Sequence, residues 1–170
     1  GQRHLLAPDS PFMAQIREGR LHSTIFWGPP GTGKTTLARL LCRMRGLTMH
    51  ELSAVSATLA DVRRVMESRS PLLEPQVVLF LDEIHRFNKA QQDVLLPDVE
   101  EGAVILVGAT TENPFFSLNS ALVSRSRVFQ LLPLDEAALR AVRTWRFRPA
   151  EFGGVTVESV LRVPIRFKLR

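Results

Sequence analysis

The sequence predicts an α/β fold, in which helices pack against a central parallel sheet. Short apolar runs alternate with stretches of helical periodicity along the chain. The first apolar run passes through a glycine-rich loop into a helical stretch, and a later apolar run ends in two adjacent carboxylates. Ligand-binding loops at the carboxyl ends of parallel strands account for both features, with right-handed helical crossovers between the strands.

Five apolar runs are predicted as strands, namely residues 23–27, 47–52, 77–81, 104–108 and 128–132. The third and fourth are continuously apolar, which is typical of strands buried on both faces. Five helices are predicted at residues 12–19, 35–44, 59–69, 88–100 and 120–124. Gly19 ends the first helix, and Pro97 predicts a kink or an early end in the fourth. Residues 1–11 are predicted to be irregular, residues 70–76 a loop, and residues 155–163 a short strand.

The composition indicates one globular domain. The chain has 170 residues, of which 45% are hydrophobic, enough to bury a sizeable core. Its single cysteine, Cys42, excludes an internal disulfide and a cysteine-based metal site, and its four histidines lack metal-ligand spacing. No apolar stretch reaches the length of a membrane span and no signal peptide is visible, so no membrane partner is expected.

The net charge of +5 is concentrated in the last part of the chain. Residues 140–170 contain eight basic and two acidic residues, so residues 1–139 carry a net charge of −1. A basic segment of this kind either binds nucleic acid through phosphates or is a solvated end. We expect the second, and the high isoelectric point then says little about the body of the domain.

Residues 28–35 match the complete phosphate-binding loop pattern G-x-x-x-x-G-K-[ST], and we call them the phosphate loop. Its glycines let backbone N–H groups approach a polyphosphate, and the following helix N-terminus faces the negative charge. Lys34 supplies a positive charge for the outer phosphates, and the Thr35 hydroxyl suits Mg²⁺. A glycine-rich turn without a ligand is the alternative, which the strand–loop–helix context disfavours. The predicted nucleotide-binding residues are Gly28, Pro29, Pro30, Gly31, Thr32, Gly33, Lys34, Thr35 and Thr36.

Asp82 and Glu83 follow the third predicted strand, which delivers them to the sheet edge where ligands bind. We expect Asp82 to hold Mg²⁺ and Glu83 to polarise the attacking water. A merely solvated, acidic strand end is the alternative. Residues 82–85 also spell the DExH box of helicases, but 170 residues leave no room for the second nucleotide-binding lobe of a helicase.

Small polar residues follow the fourth predicted strand, between the carboxylates and the predicted position of the terminal phosphate. Thr111, or else Thr110 or Asn113, is a candidate sensor of that phosphate, although Thr and Asn are also common in plain turns. Arg125 precedes the last strand, where it is either an arginine finger for a neighbouring subunit or an ordinary surface arginine.

Together these residues resemble the AAA+ ATPases and, within them, the replication-associated recombination protein A family, relatives of the Werner-helicase-interacting protein. The resemblance covers about residues 1–143 and is most specific at residues 82–93 and 108–114, with agreement also at residues 21–23, 51–57 and 119–125. It implies a P-loop NTPase three-layer fold with a central parallel sheet, from which the family's helical lid and C-terminal domains are missing.

The resemblance also implies roles by motif position. Lys34 and Thr35 match the phosphate and Mg²⁺ ligands, Asp82 the second Mg²⁺ ligand and Glu83 the water-activating carboxylate. Thr111 matches the sensor. The set of predicted catalytic residues is therefore Glu83, Lys34, Arg125 and Thr111, where Arg125 lies in Ser-Arg-Ser in place of the family's Ser-Arg-Cys.

Weaker matches to the family concern residues outside this catalytic set. Ser53 matches a switch residue that restrains the catalytic glutamate, and Gly1-Gln2 matches a Gly-Gln near the adenine pocket. Arg86 and Lys89 follow the third strand at the start of a helix that faces DNA in related clamp loaders, and they are candidate phosphate contacts or simply solvated.

The resemblance thus implies the ATP-binding and ATP-hydrolysing core of a DNA-dependent ATPase in DNA replication, recombination and repair at stalled forks. Its cofactors would be ATP and Mg²⁺. Its partners would be DNA junctions or gaps, single-stranded DNA-binding protein and further copies of the chain. It would be cytoplasmic and nucleoid-associated in a bacterium, or nuclear in a eukaryote.

The alternatives are a nucleotide-dependent interaction module, an inactive fragment, or a basic nucleic-acid-binding tail on an inert body. Residues 1–143 are expected to form the ATPase core, incomplete at its N-terminus, and residues 144–170 a divergent basic tail outside the resemblance. Because the resemblance does not extend to the family's helical lid, we expect weak ATP–Mg²⁺ binding and slow hydrolysis.

Overall fold

The computed structural model describes residues 2–19, 21–67 and 77–133, and the backbone of residues 150–152 and 155–157. Its strands are β1 (Thr24–Trp27), β2 (Met49–Ser53), β3 (Val77–Asp82), β4 (Val104–Thr110), β5 (Arg127–Gln130), β6 (Ala150–Phe152) and β7 (Val155–Val157). Its helices are α1 (Arg3–Leu6), α2 (Pro11–Arg17), α3 (Lys34–Met44), α4 (Leu59–Glu67), α5 (Lys89–Asp93), α6 (Leu96–Glu100), α7 (Pro114–Ser117) and α8 (Ser120–Ser124), with a 3-10 turn at Ile84–Arg86.

The five strands β1 to β5 form one parallel sheet in the order β2-β3-β4-β1-β5. The carboxyl ends of all five strands therefore lie at the same edge. Because β4 lies between β3 and β1, the residues after β4 separate those after β3 from those after β1. β6 and β7 form a separate antiparallel pair.

Alternate residues of the central strands pack on opposite faces of the sheet, as the period of two requires. On one face, Leu79 and Leu106 pack in a core cluster with residues of α4, α6 and α8. On the other face, Phe80 and Ile105 pack with residues of α1, α2 and α3. The predicted α/β architecture with a central parallel sheet is therefore confirmed, and it has three layers.

The predicted elements are recovered with two corrections. The prediction that residues 1–11 are irregular is wrong, because α1 lies there and Ser10 caps α2 by accepting from the Met13 N–H at 3.1 Å. The predicted helix at residues 88–100 is two helices, α5 and α6. Pro97 lies in the first turn of α6, where proline is favoured. In a continuous helix its ring would clash with the carbonyl of Asp93, four residues earlier, and α5 ends at Asp93.

Smaller differences concern element ends. β4 continues through Thr110, two residues beyond the predicted end at residue 108, and α7 was not predicted. The predicted loop at residues 70–76 and the end of the predicted strand at residues 158–163 lie outside the described residues. Among the described residues, no helix combines the length and apolar character needed to cross a bilayer.

Candidate functional site

The phosphate loop begins at Gly28, where the chain leaves β1 between two neighbouring strands. The Gly28 N–H donates to the Thr110 carbonyl at 3.1 Å. Gly28 has φ +149°, and a Cβ there would lie 2.2 Å from the Leu131 carbonyl oxygen. Only glycine therefore fits this backbone, which joins the loop to the ends of β4 and β5.

Two further glycines of the phosphate loop border open space. Gly31 and Gly33 have positive φ, and no heavy atom lies within 4 Å of the place where a Cβ would stand on either residue. Gly33 is the N-cap of α3, so the unpaired N–H groups of the first helical turn, which includes Thr35 and Thr36, lie beside this open backbone. This arrangement suits a bound anion.

Lys34 points back across the phosphate loop. Its ammonium donates to the Gly28 carbonyl at 2.7 Å and to the Pro29 carbonyl at 3.0 Å, which leaves one of its three donors for a ligand. Burial lowers the pKa of Lys34, while the negative charges of Glu83 and Asp82 act to raise it. Because the phosphate loop follows β1 and Asp82 ends β3, the loop cation and the two carboxylates lie at the same edge of the sheet.

Gln2 connects the phosphate loop to the end of the last strand of the sheet. Its buried amide donates to the Thr32 carbonyl at 3.2 Å and to the Leu132 carbonyl at 2.8 Å, and it accepts from the Leu132 N–H at 3.0 Å. Gln2 thus lies beside the loop, and its match to a Gly-Gln near an adenine pocket stays a prediction. Gly1 is not among the described residues.

Asp82 ends β3, and Glu83 follows it in a left-handed conformation with φ +51°. Glu83 is the one non-glycine residue with positive φ in the described ranges, and such strain is most common at functional sites. The Glu83 N–H donates to Oδ1 of Asp82 at 3.1 Å.

The Glu83 carboxylate is held by side chains from two strand ends. The Thr111 hydroxyl donates to Oε2 of Glu83 at 3.3 Å, and Nδ1 of His85 lies 3.3 Å from the same oxygen. The same ring nitrogen lies 2.9 Å from the Thr110 hydroxyl, and Nε2 lies 3.7 Å from Oε1 of Glu112. We call these five residues, Glu83, His85, Thr110, Thr111 and Glu112, the acid cluster.

The donors at this edge fit Mg²⁺. No group of three or more His, Cys, Asp or Glu residues that could hold a metal occurs in the part of the chain that is described. Mg²⁺ does not require such a group, because it is usually bound by one or two carboxylates and substrate phosphates. The Asp82 carboxylate and the half-buried Thr35 hydroxyl supply oxygen ligands of this kind.

Two of the three candidate sensor residues, Thr110 and Asn113, do not contact Glu83. Thr110 is fully buried, accepts from the Glu112 N–H at 3.0 Å and contacts His85. Asn113 caps α7 by accepting from the Phe115 N–H at 3.0 Å. Of the three alternatives, Thr111 is the residue that contacts Glu83.

Other predicted residues lie apart from the carboxylates. Arg125 ends α8 and pairs with Glu100 at 2.8 Å. Arg86 and Lys89 are exposed, and within the described residues their side chains have no hydrogen bond or ion pair. The Ser53 hydroxyl accepts from the Val55 N–H at 3.4 Å and, in the same ranges, makes no bond to Glu83.

His85 and Glu112 were not predicted as site residues. The DExH pattern of residues 82–85 is the sequence signal for His85, but by itself this pattern indicates a helicase. Glu112 carried no signal, because a strand-end glutamate is common on surfaces. Both residues belong to the site only through contacts between β3 and β4.

Comparison with known sequences identifies the family. Residues 24–134 match the ATPase family associated with various cellular activities (AAA). The chain belongs to the AAA family of ATPases. A second family, the Gram-negative bacterial TonB protein C-terminal domain, matches residues 122–169, less than a third of the chain and mostly residues outside the described ranges.

Curated relatives of this AAA chain carry the name that its motifs suggested. It is 50% identical over 142 residues to replication-associated recombination protein A of Coxiella burnetii, covering 84% of this chain and 32% of the relative. It is 47% identical over 146 residues to the protein of that name from Escherichia coli, covering 85% and 33%. The predicted resemblance is confirmed, and the chain spans about a third of these relatives' length.

Solved structures agree with the fold. The Thermotoga maritima RuvB Holliday junction branch migration motor superposes with a TM-score of 0.57 and 34% sequence identity, over 71% of this chain and 41% of that one. The fold of this AAA chain is therefore shared with a solved motor protein.

Proposed function

We propose that this chain is the ATP-binding and ATP-hydrolysing core of a DNA-dependent ATPase that acts in DNA replication, recombination and repair at stalled forks. One observation carries the proposal. The ammonium of Lys34 donates to the Gly28 carbonyl just after β1, and Asp82 and Glu83 stand at the end of β3 in the same parallel sheet. A cation that can bind phosphate, Lys34, and two carboxylates that can serve the metal and the water, Asp82 and Glu83, thus lie at one sheet edge.

The phosphate loop binds the nucleotide in this proposal. Residues 28–36 supply N–H groups and the open N-terminus of α3 to the phosphates, and Lys34 donates its remaining hydrogen to the outer phosphates. Gln2 keeps the loop against the end of the sheet.

The carboxylates carry the hydrolytic half of the site. Thr35 and Asp82 hold Mg²⁺, which supplies charge neutralisation at the phosphates when it is bound. Glu83 orients and polarises a water with the carboxylate oxygen that Thr111 leaves free. Thr111 lies between the carboxylate and the phosphate loop, since β4 separates β3 from β1, and this place suits a sensor.

The proposed action on DNA and the proposed oligomer are supported by the names of the relatives and by exposed basic side chains. Relatives are named for replication and recombination, and the solved neighbour is titled a Holliday junction motor. Arg86 and Lys89 are exposed cations that suit DNA phosphates. Arg125, which pairs with Glu100 at 2.8 Å, is assigned to the nucleotide of a neighbouring copy. Single-stranded DNA-binding protein is assigned as a further partner.

The test is titration of the chain with ATP and Mg²⁺, with and without DNA, while phosphate release is measured. Lys34→Ala is expected to weaken nucleotide binding about 10- to 100-fold, because it removes a charge-assisted hydrogen bond. Glu83→Gln is the matched control. It is expected to keep nucleotide affinity and to lower kcat at least about 100-fold.

Two outcomes separate the alternatives. Normal nucleotide binding with phosphate release no faster than that of Glu83→Gln would favour an interaction module over an ATPase. For DNA, the Arg86→Ala, Lys89→Ala double variant is expected to flatten the salt dependence of binding, by a slope of about 1 per lost phosphate contact. An unchanged slope would remove these residues from the DNA surface.

A further inference from the structure

Thr110, the last residue of β4, is linked to elements on both sides of its strand. It is fully buried. Its carbonyl accepts from the Gly28 N–H at 3.1 Å, where the phosphate loop begins. Its hydroxyl lies 2.9 Å from Nδ1 of His85, in the 3-10 turn that follows Glu83. Thr110 therefore connects the phosphate loop with the turn at the end of β3.

The two sides of β4 are held differently at this point. On the β1 side, strand pairing continues to the pair formed by Trp27 and Thr110. On the β3 side, pairing ends with Leu81 and Gly108, two residues before Thr110. Beyond Gly108, side-chain contacts therefore determine how the end of β4 lies against the end of β3.

The Thr110 hydroxyl joins two further residues through one oxygen. It accepts from the Glu112 N–H at 3.0 Å, and it lies 3.3 Å from the Glu112 carbonyl, to which it can donate. A hydroxyl has one proton and two lone pairs. It therefore bonds to His85 in either ring tautomer, by donating to a bare Nδ1 or by accepting from a protonated one.

The bond to Glu112 closes a turn around Thr111. A threonine oxygen that accepts from the N–H two residues ahead forms a side-chain turn that mimics a backbone turn. Thr111 is the middle residue of this turn, and its hydroxyl donates to Oε2 of Glu83 at 3.3 Å. The turn limits the backbone angles of Thr111 and, with them, the direction in which its hydroxyl points.

We propose that Thr110 is a positioning residue for ATP hydrolysis. Its hydroxyl closes the turn that directs Thr111 to Glu83, and its bond to His85 ties that turn to the end of β3. The inference rests on the proposed ATP hydrolysis and deepens it, because Thr110 acts through Thr111 and not by contact with nucleotide or water. A buried threonine that only filled space would need its shape and not its oxygen.

The test compares Thr110→Val with Thr110→Ser in the full chain. Valine keeps the branched shape and removes the hydroxyl, whereas serine keeps the hydroxyl and removes a methyl group. Thr110→Ser is expected to keep kcat within about threefold of the unchanged chain, while Thr110→Val lowers it about tenfold or more. ATP affinity should stay within about twofold in both variants, because the Thr110 carbonyl makes the contact with the phosphate loop.

Combining Thr110→Val with Thr111→Val tests whether Thr110 acts through Thr111. If it does, the two losses do not multiply, because the turn directs no hydroxyl once that of Thr111 is removed. The double variant should therefore have a kcat within about threefold of that of Thr111→Val alone. Losses that multiply, or a Thr110→Ser variant as slow as Thr110→Val, would overturn the proposal.

A second measurement does not depend on turnover. Amide hydrogen exchange of Glu112, followed by NMR, should be about tenfold or more faster in Thr110→Val than in Thr110→Ser, because valine leaves the Glu112 N–H without its acceptor. The Gly28 amide, which donates to the Thr110 carbonyl, is the control and should exchange at similar rates in both variants. Equal exchange of the Glu112 amide in the two variants, or an equal acceleration of the Gly28 amide, would contradict the proposal.

A chain without any ATP hydrolysis would contradict the proposed function instead. The exchange of the Glu112 amide would then still decide whether the Thr110 hydroxyl closes the turn.

Discussion

The phosphate loop and the acid cluster lie at the same sheet edge, but they are built in different ways. The phosphate loop is mainly backbone: its shape comes from Gly28, Gly31 and Gly33, and the side chains of Thr32 and Lys34 bond to its carbonyls. The acid cluster is made of side chains from two strand ends that contact one another. Backbone chemistry is local in sequence, whereas the cluster depends on which strands become neighbours.

Among changes to the phosphate loop, Gly28→Ala is expected to have the largest effect on stability. A Cβ would lie 2.2 Å from the Leu131 carbonyl oxygen, and neither backbone can move without breaking the bond from the Leu131 N–H to the Trp27 carbonyl at 2.7 Å. We expect the free energy of unfolding to fall by about 3 kcal/mol or more. Urea unfolding, followed by circular dichroism, measures it.

Gly46→Ala is the matched control. Gly46 also has positive φ, +63°, but no heavy atom lies within 4 Å of a Cβ there. It is expected to cost only about 1 kcal/mol, for the left-handed backbone. Equal unfolding midpoints for the two variants would show that the close approach at Gly28 does not constrain the loop.

The pH dependence of nucleotide binding tests Lys34, the charged side chain of the phosphate loop. Burial lowers the pKa of Lys34 below its ordinary value of 10.5. Phosphates bind the charged ammonium, so affinity should decrease as pH rises through this lowered pKa, by up to about tenfold per pH unit. Titration with nucleotide between pH 7 and pH 10.5 measures the slope.

Lys34→Arg is the control for the slope, because a guanidinium stays charged throughout this range. The same shift predicts that the unliganded chain gains stability with rising pH between the lowered pKa and 10.5, since there the unfolded chain binds more protons. Affinity of the unchanged chain that stays level up to pH 10.5 would contradict a lowered pKa of Lys34.

Much of the fold could be predicted from local patterns. The apolar runs at β3 and β4 predicted buried parallel strands, and the loop motif predicted the start of α3. The misjudged elements involved competing local signals. Pro97 was predicted to kink a helix, yet a proline is also favoured in a first helical turn, and the pattern alone does not distinguish the two.

The site was predictable to the extent that its parts are motifs. Gly28 to Thr35, Asp82 and Glu83 follow from spacing and strand context, and Lys34, Asp82 and Glu83 lie at one edge of the sheet in the structure. His85 and Glu112 were missed because their role arises from the pairing of β3 with β4, which joins residues about 25 positions apart. The role of Arg125 stays a prediction that concerns a second copy.

The most direct test of the central claim, that loop and carboxylates act on one metal-bound triphosphate, is the Mg²⁺ dependence of ATP affinity. Isothermal titration with ATP in Mg²⁺ and in EDTA should give tighter binding with Mg²⁺ for the unchanged chain. Asp82→Asn should lose most of that gain, while its affinity in EDTA stays within about twofold, because the phosphate loop is intact. An Asp82→Asn variant that keeps the full Mg²⁺ gain would contradict the account.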